Sequence, residues 1–120
     1  MGHKLNTYFY NREFARCLSR FNSNLYLYKD QPFGSENSIK DSVYLIANLE
    51  ARSMGTTYNS KYELSLMSAL LKDYFITNNN ETIRVNSDII KQYISEINKD
   101  INKSNNIDEF ISYLTPPKQK

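Results

Sequence analysis

Three arginines stand four residues apart near the start of the chain. Arg12, Arg16 and Arg20 have the i, i+4, i+8 spacing that places side chains along one face of a helix. With a rise of about 1.5 Å per residue, the three positions span about 12 Å. Each guanidinium group can make a planar, two-pronged contact to a carboxylate or a phosphate. The spacing therefore predicts a positively charged ridge that faces either solvent alone or an anionic partner, which would be a protein surface or a nucleic acid.

Aromatic residues flank this ridge and share its region of the chain. Residues 1–34 contain five basic and two acidic side chains, whereas the rest of the chain contains ten basic and eleven acidic ones. The net charge of +2 thus arises entirely from the first quarter. Tyrosine rings in such a region pack on protein surfaces or stack on bases. We therefore predict that the partner-binding surface combines the three arginines with Tyr8, Tyr10, Tyr26 and Tyr28.

Catalytic and metal-binding motifs are missing from the sequence. His3 is the single histidine and Cys17 the single cysteine, and Cys17 has the helical spacing of a buried apolar face with Phe14 and Leu18. The chain has no P-loop, no G-x-S-x-G, no H-E-x-x-H and no pair of C-x-x-C motifs. These observations favour a protein that is not an enzyme and that has no cofactor and no metal site.

Glu50 is the one carboxylate whose position is unusual. On a helical wheel it falls inside the apolar arc that contains Val43 and Met54. A carboxylate removed from water must be paired or have a raised pKa. We expect Glu50 to lie at the rim of the core or to pair with a nearby arginine, because no second carboxylate accompanies it in the pattern.

A second anion-binding candidate lies in the C-terminal half. A short strand over Thr82–Val85 would place Thr82, Arg84 and Asn86 on one face, and two predicted helices follow it. This is the element order of ribbon-helix-helix DNA-binding segments, in which polar strand residues contact base edges. It supplies an alternative in which these three residues, or the arginine ridge, bind nucleic acid.

The elements that position these residues are mostly helical. Helix-start signals occur at Asn11, Ser38, Ser60, Ser87 and Asn106, each followed by apolar residues with a period near 3.6. Alternating residues Leu25–Tyr28 favour one further short strand. The sequence predicts a mainly α fold, a compact irregular bundle of about five amphipathic helices with at most one or two short strands. Residues 1–115 are expected to form a single helical domain, and residues 116–120 a Pro/Lys tail.

Composition completes the functional hypothesis. No apolar stretch approaches the length of a membrane helix, and abundant Asn, Lys, Ile and Tyr are typical of an AT-rich genome. The leading interpretation is a binding or assembly protein of a phage or mobile element, either cytoplasmic or virion-associated, that engages a larger protein partner. The alternative is a small DNA- or RNA-binding regulator, and self-association into a homo-oligomer stays open.

Overall fold

The computed structural model describes the backbone of residues 2–25 and 35–116, and the side chains of residues 9–25 and 40–116. Within these ranges the chain forms five helices and no strand. The predicted mainly α bundle of about five helices is confirmed. The helices are α1 (Gly2–Asn24), α2 (Ser35–Ser53), α3 (Lys61–Thr77), α4 (Asn80–Lys99) and α5 (Ser104–Leu114).

The principal helix contacts form a closed ring. Helix α1 packs on α2, α2 on α3, α3 on α5, α5 on α4, and α4 returns to α1. Each helix is amphipathic and must bury its apolar stripe against its neighbours. Side chains from all five helices therefore meet in one core, whose largest fully buried members are Phe14, Phe21, Phe75 and Phe110.

Helix α1 buries the face that the sequence predicts but begins earlier. Phe14, Leu18 and Phe21 are fully buried, as their spacing indicates. The predicted start at Asn11 is wrong, because the helix begins at Gly2. The Asn11 side chain does not cap a helix: its Nδ2 donates to Thr57 Oγ1 at 2.8 Å and its Oδ1 accepts from the Thr57 N–H at 3.0 Å. The polar character of this residue thus serves a long-range contact with the loop between α2 and α3.

Helix α4 replaces the predicted strand. Residues Thr82–Val85 lie in its first two turns, and the helix begins at Asn80 rather than at Ser87. Asn79 is its N-cap, and the Asn79 side chain accepts a hydrogen bond from the Thr82 N–H at 2.8 Å. Ser87 lies inside the helix, where its hydroxyl donates to the Arg84 carbonyl oxygen. Ile83 is therefore the first buried residue of the apolar stripe of α4, whereas Val85 is 64% exposed, and the segment forms no ribbon.

Helix α3 begins where the sequence places it but for a different reason. Ser60 occupies the N-cap position, yet its side chain makes no capping hydrogen bond. Its hydroxyl instead donates to the main-chain carbonyl oxygen of Ile101, in the loop between α4 and α5. This contact ties two loops together at one end of the bundle.

The remaining predicted boundaries are close to the observed ones. Helix α2 begins at Ser35 rather than Ser38 and ends before Gly55, and α5 begins at Ser104 rather than Asn106. Leu25 is a buried turn residue at the end of α1, and the rest of the predicted strand over residues 25–28 lies outside the described residues.

Candidate partner-binding surface

Helix α1 orients the three arginines away from the core. Arg12, Arg16 and Arg20 are all exposed, and Phe14, on the opposite side of the helix, is fully buried. The arrangement follows from the spacing, because residues four apart share a helical face. The predicted exposure of this ridge is therefore observed.

The charge of the ridge is mostly unneutralised within the described residues. Arg16 Nη1 lies 3.6 Å from Glu13 Oε1, and the Arg16 side chain remains 54% exposed. An exposed pair at this distance contributes little to stability. No described carboxylate lies within ion-pair distance of Arg12 or Arg20. Two of the three guanidinium groups thus have no internal counter-charge in this part of the chain.

An open groove runs between α1 and α2 beside the ridge. Its volume is about 740 Å³, and Arg16 and Arg20 line one wall while Tyr44 and Leu45 line the other. Asp41 lies along the same groove. Arg12 does not line this groove, so the structure separates the first arginine from the other two.

A smaller recess of about 140 Å³ adjoins this groove and brings in a fourth arginine. Arg16, Arg20 and Arg52 line it together with Tyr44. We call these four residues the arginine cleft. Arg52 lies in the last turn of α2, where a cation interacts favourably with the helix dipole. No described carboxylate lies within ion-pair distance of Arg52.

Sequence reasoning missed Arg52 and Tyr44, although a signal exists. Tyr44, Asn48 and Arg52 have the same i, i+4, i+8 spacing as the ridge on α1. The Asn48 Nδ2 donates to the Tyr44 carbonyl oxygen at 3.0 Å, as expected for neighbours on one helical face. What the sequence does not provide is the packing of α2 against α1, which places the two stripes on opposite walls of one cleft.

Cys17 lines the recess and belongs to the core. It is only 7% exposed, and its thiol donates a hydrogen bond to the Leu45 carbonyl oxygen at 3.2 Å. Burial raises the pKa of the Cys17 thiol, and the nearby Arg52 and Arg20 partly oppose that increase. The interpretation of Cys17 as a small buried hydrophobe is confirmed.

Among the predicted tyrosines, the structure describes the side chain of Tyr10. Its ring is 38% exposed, meets the Phe9 ring edge to face at 6.0 Å between centroids, and covers Gly55. The side chain of Tyr8 and the whole of Tyr26 and Tyr28 lie outside the described residues. Tyr44, which is 70% exposed, is the aromatic residue that the structure places beside Arg16 and Arg20.

The C-terminal anion-binding candidate does not contain the predicted strand. Thr82, Arg84 and Asn86 lie on helix α4, and Asn86 Nδ2 also donates to the Tyr74 hydroxyl on α3 at 3.0 Å. Arg84 Nε donates to Glu81 Oε2 at 3.2 Å, which raises the pKa of the guanidinium group, while Asn86 Nδ2 donates to the Thr82 carbonyl oxygen at 3.0 Å. The ribbon-helix-helix interpretation is therefore wrong, because the segment is helical and supplies no strand to pair with a second copy.

Glu50 lies at the rim of the core and pairs with a lysine rather than an arginine. Lys72 Nζ on α3 donates to Glu50 Oε2 at 2.9 Å, and both side chains are 36% exposed. The pair links α2 to α3.

Within the described residues, no group of three or more His, Cys, Asp or Glu side chains is arranged to hold a metal ion. No helix in the described ranges has the length and hydropathy that crossing a bilayer requires.

The chain matches no known family model, no curated protein and no solved structure at a significant level. Fold and surface together define a mainly α-helical bundle with an arginine-lined cleft between its first two helices.

Proposed function

We propose that this chain is a non-enzymatic binding protein that engages a larger protein partner through the exposed arginines of α1. The observation that carries the proposal is that Arg12 and Arg20 are exposed and have no carboxylate partner among the described residues. Arginine and tyrosine side chains dominate the energetics of protein interfaces. This surface exposes arginine and tyrosine side chains together, and the stability of the fold does not require that exposure.

The apolar side chains that line the groove favour a protein partner rather than a nucleic acid. Leu45 and the ring of Tyr44 provide apolar surface on the wall opposite Arg16 and Arg20, and a protein interface needs such surface at its centre. Asp41 lies in the groove and would repel a phosphate backbone. Binding of DNA or RNA through the ridge is the competing outcome.

The proposal is tested by co-purification. The full chain and a variant with Arg12, Arg16 and Arg20 replaced by alanine are each recovered from the cells that naturally make the protein. The eluates are analysed for protein by mass spectrometry and for nucleic acid by absorbance and nuclease digestion. We expect a defined protein partner with the natural chain and its loss with the triple variant.

A variant with the same change in charge provides the control. Replacing Lys61, Lys99 and Lys103 by alanine removes three positive charges from α3 and from the α4–α5 region. This variant should retain the partner. Recovery of a bare monomer with the natural chain contradicts the proposal, and recovery of nucleic acid alone favours the regulator alternative.

We further propose that a phage or mobile element with an AT-rich genome encodes this protein. The protein would act as an assembly component or regulator, either in the cytoplasm of the host cell or in the virion. The support for this part is the composition, which is rich in Asn, Lys, Ile and Tyr and lacks Trp. Size-exclusion chromatography with light scattering on the purified chain tests the remaining proposal of self-association.

A further inference from the structure

We propose that the arginine cleft binds an acidic peptide segment of the partner, with carboxylates on Arg16, Arg20 and Arg52 and an apolar side chain against Tyr44. This inference rests on the proposed function and assigns the chemistry of its partner. It concerns Arg52 and Tyr44, which lie on α2 and are separate from the α1 ridge as a whole.

The three guanidinium groups come from two helices and share one recess. Arg16 and Arg20 lie on successive turns of α1, and Arg52 reaches the same recess from the end of α2. Arg20 and Arg52 both partly oppose the rise that burial causes in the pKa of the Cys17 thiol, so both place positive charge near this lining residue of the recess. Two helices that hold arginines in this way give a site where several carboxylates bind at once.

The net positive charge of the cleft is small and matches a ligand with only a few carboxylates. Three arginines and one carboxylate, Glu13, line the recess, and Glu13 lies 3.6 Å from one arginine only. An incoming carboxylate would compete with Glu13 for Arg16 and would meet Arg20 and Arg52 without competition. Asp41 limits the positive region on the side of the open groove. The positive patch is therefore short, as for a few peptide carboxylates, and not extended as for a nucleic-acid backbone.

The exposed ring of Tyr44 provides the surface that an apolar side chain of the acidic peptide segment would contact. The ring is 70% exposed beside Leu45, whose side chain is partly buried against the core. Exposed tyrosine next to arginine is typical of the centre of an interface, because the ring gives a large contact area at small entropic cost. A leucine or aromatic residue between acidic residues would bury this ring.

Arginine side-chain NMR tests the inference directly. The chain has five arginines, so the labelled full-length protein gives five Nε–Hε signals, one of which is from Arg84, paired with Glu81. The probe is a capped synthetic peptide of glutamates flanking one leucine, titrated at about 20 mM salt, where electrostatic screening is weak. We expect the signals of Arg16, Arg20 and Arg52 to shift while that of Arg84 stays fixed.

Single substitutions distinguish binding in the arginine cleft from nonspecific attraction of the peptide to positive charge. Arg52→Ala should weaken peptide binding by about tenfold, Arg52→Lys by less, and Tyr44→Ala should weaken binding of the leucine peptide more than that of an all-glutamate peptide. Arg84→Ala removes the same charge from α4 and should have no effect. Circular dichroism and thermal unfolding of each variant show whether the fold is retained.

Three results would overturn the inference. They are an equal response of all five arginines, an unchanged affinity in folded Arg52→Ala, and tighter binding of a thymidine oligonucleotide of matching charge than of the peptide. Failure here is distinguishable from failure of the proposed function. If co-purification still depends on Arg12, Arg16 and Arg20 while Arg52 and Tyr44 have no effect, the partner binds the ridge outside the cleft and only the acidic-segment assignment is wrong.

Discussion

The Tyr58 hydroxyl donates a hydrogen bond to the main-chain carbonyl oxygen of Asn11 at 2.9 Å. The Asn11 side chain makes two more hydrogen bonds to Thr57, so one residue of α1 binds the α2–α3 loop through its main chain and its side chain. The loop follows α2 directly. This anchor therefore helps to set the position of α2 on α1, on which the arginine cleft depends.

Removing the Tyr58 hydroxyl should weaken this anchor. We expect Tyr58→Phe to lower the free energy of unfolding by about 1 kcal/mol, the usual contribution of one hydrogen bond in a partly buried setting. Urea denaturation followed by circular dichroism measures the change. Tyr62 is 65% exposed, and Tyr62→Phe serves as the control, with no expected effect. Equal stability of the two variants would show that the Tyr58 hydrogen bond does not hold the loop.

Gly55 provides space for the Tyr10 ring, and alanine should disturb this contact. A Cβ atom at position 55 would lie 3.1–3.2 Å from three atoms of the ring, closer than ordinary van der Waals contact. We expect Gly55→Ala to destabilise the protein by roughly 1 kcal/mol, as modest overpacking does. The cost should disappear in a Tyr10→Ala background, where alanine also reduces the entropy of the unfolded chain. A double-mutant cycle by urea denaturation measures this coupling, and purely additive effects would contradict the contact.

Cys17 should react slowly with thiol reagents in the folded protein. Its thiol is buried and donates to Leu45, and burial raises its pKa, so little thiolate forms near pH 8. We expect modification by a disulfide reagent to be at least about tenfold slower than in urea, because reaction requires local opening. Absorbance of the released thiolate gives both rates. A native rate equal to the denatured rate would mean that the α1–α2 contact opens freely.

The aromatic cluster of Tyr113 should make stability fall at high pH. Burial, followed by contacts with Tyr74 and then Tyr93, raises the pKa of Tyr113 to about 12. The pKa is therefore higher in the folded than in the unfolded chain. The neutral hydroxyl stabilises the fold fully below about pH 10, and this contribution is lost as the pH rises from 10 towards 12. Urea denaturation at pH 9 and at pH 11 measures the decrease.

The matched variant for this pH dependence is Tyr113→Phe, which cannot ionise at that position. Its free energy of unfolding should fall less between pH 9 and pH 11 than that of the natural chain. Tyr62→Phe, at an exposed position, should follow the natural chain. Parallel decreases in all three proteins would assign the pH dependence to other groups.

Periodicity predicts the helices and most of the core. Phe14, Leu18 and Phe21 on α1 and Ile90, Ile94 and Ile97 on α4 are all buried, because apolar residues at helical spacing must face the interior. Helix ends are predicted less well. Asn11 and Ser87 have the residue types of N-caps, but both lie inside helices, where their side chains bond to a distant loop and to the preceding turn. Residue type alone cannot distinguish an N-cap from a polar residue inside a helix.

The candidate surface was only partly visible in the sequence. The exposure of Arg12, Arg16 and Arg20 follows from their spacing on one helix. The arginine cleft also needs Arg52, which stands 32 positions after Arg20 and meets it through the packing of α2 on α1. Neither composition nor periodicity encodes which helix lies beside which, so this part required the structure.

The contact between α1 and α4 includes amides and hydroxyls without charge. Asn22 Nδ2 donates to Ser95 Oγ at 2.9 Å, and Asn98 Nδ2 donates to Ser19 Oγ at 3.0 Å. Dissolved salt hardly weakens such neutral bonds, whereas it strongly screens exposed guanidinium groups. We therefore expect high ionic strength to weaken the proposed binding through the arginines and to leave the α1–α4 contact intact.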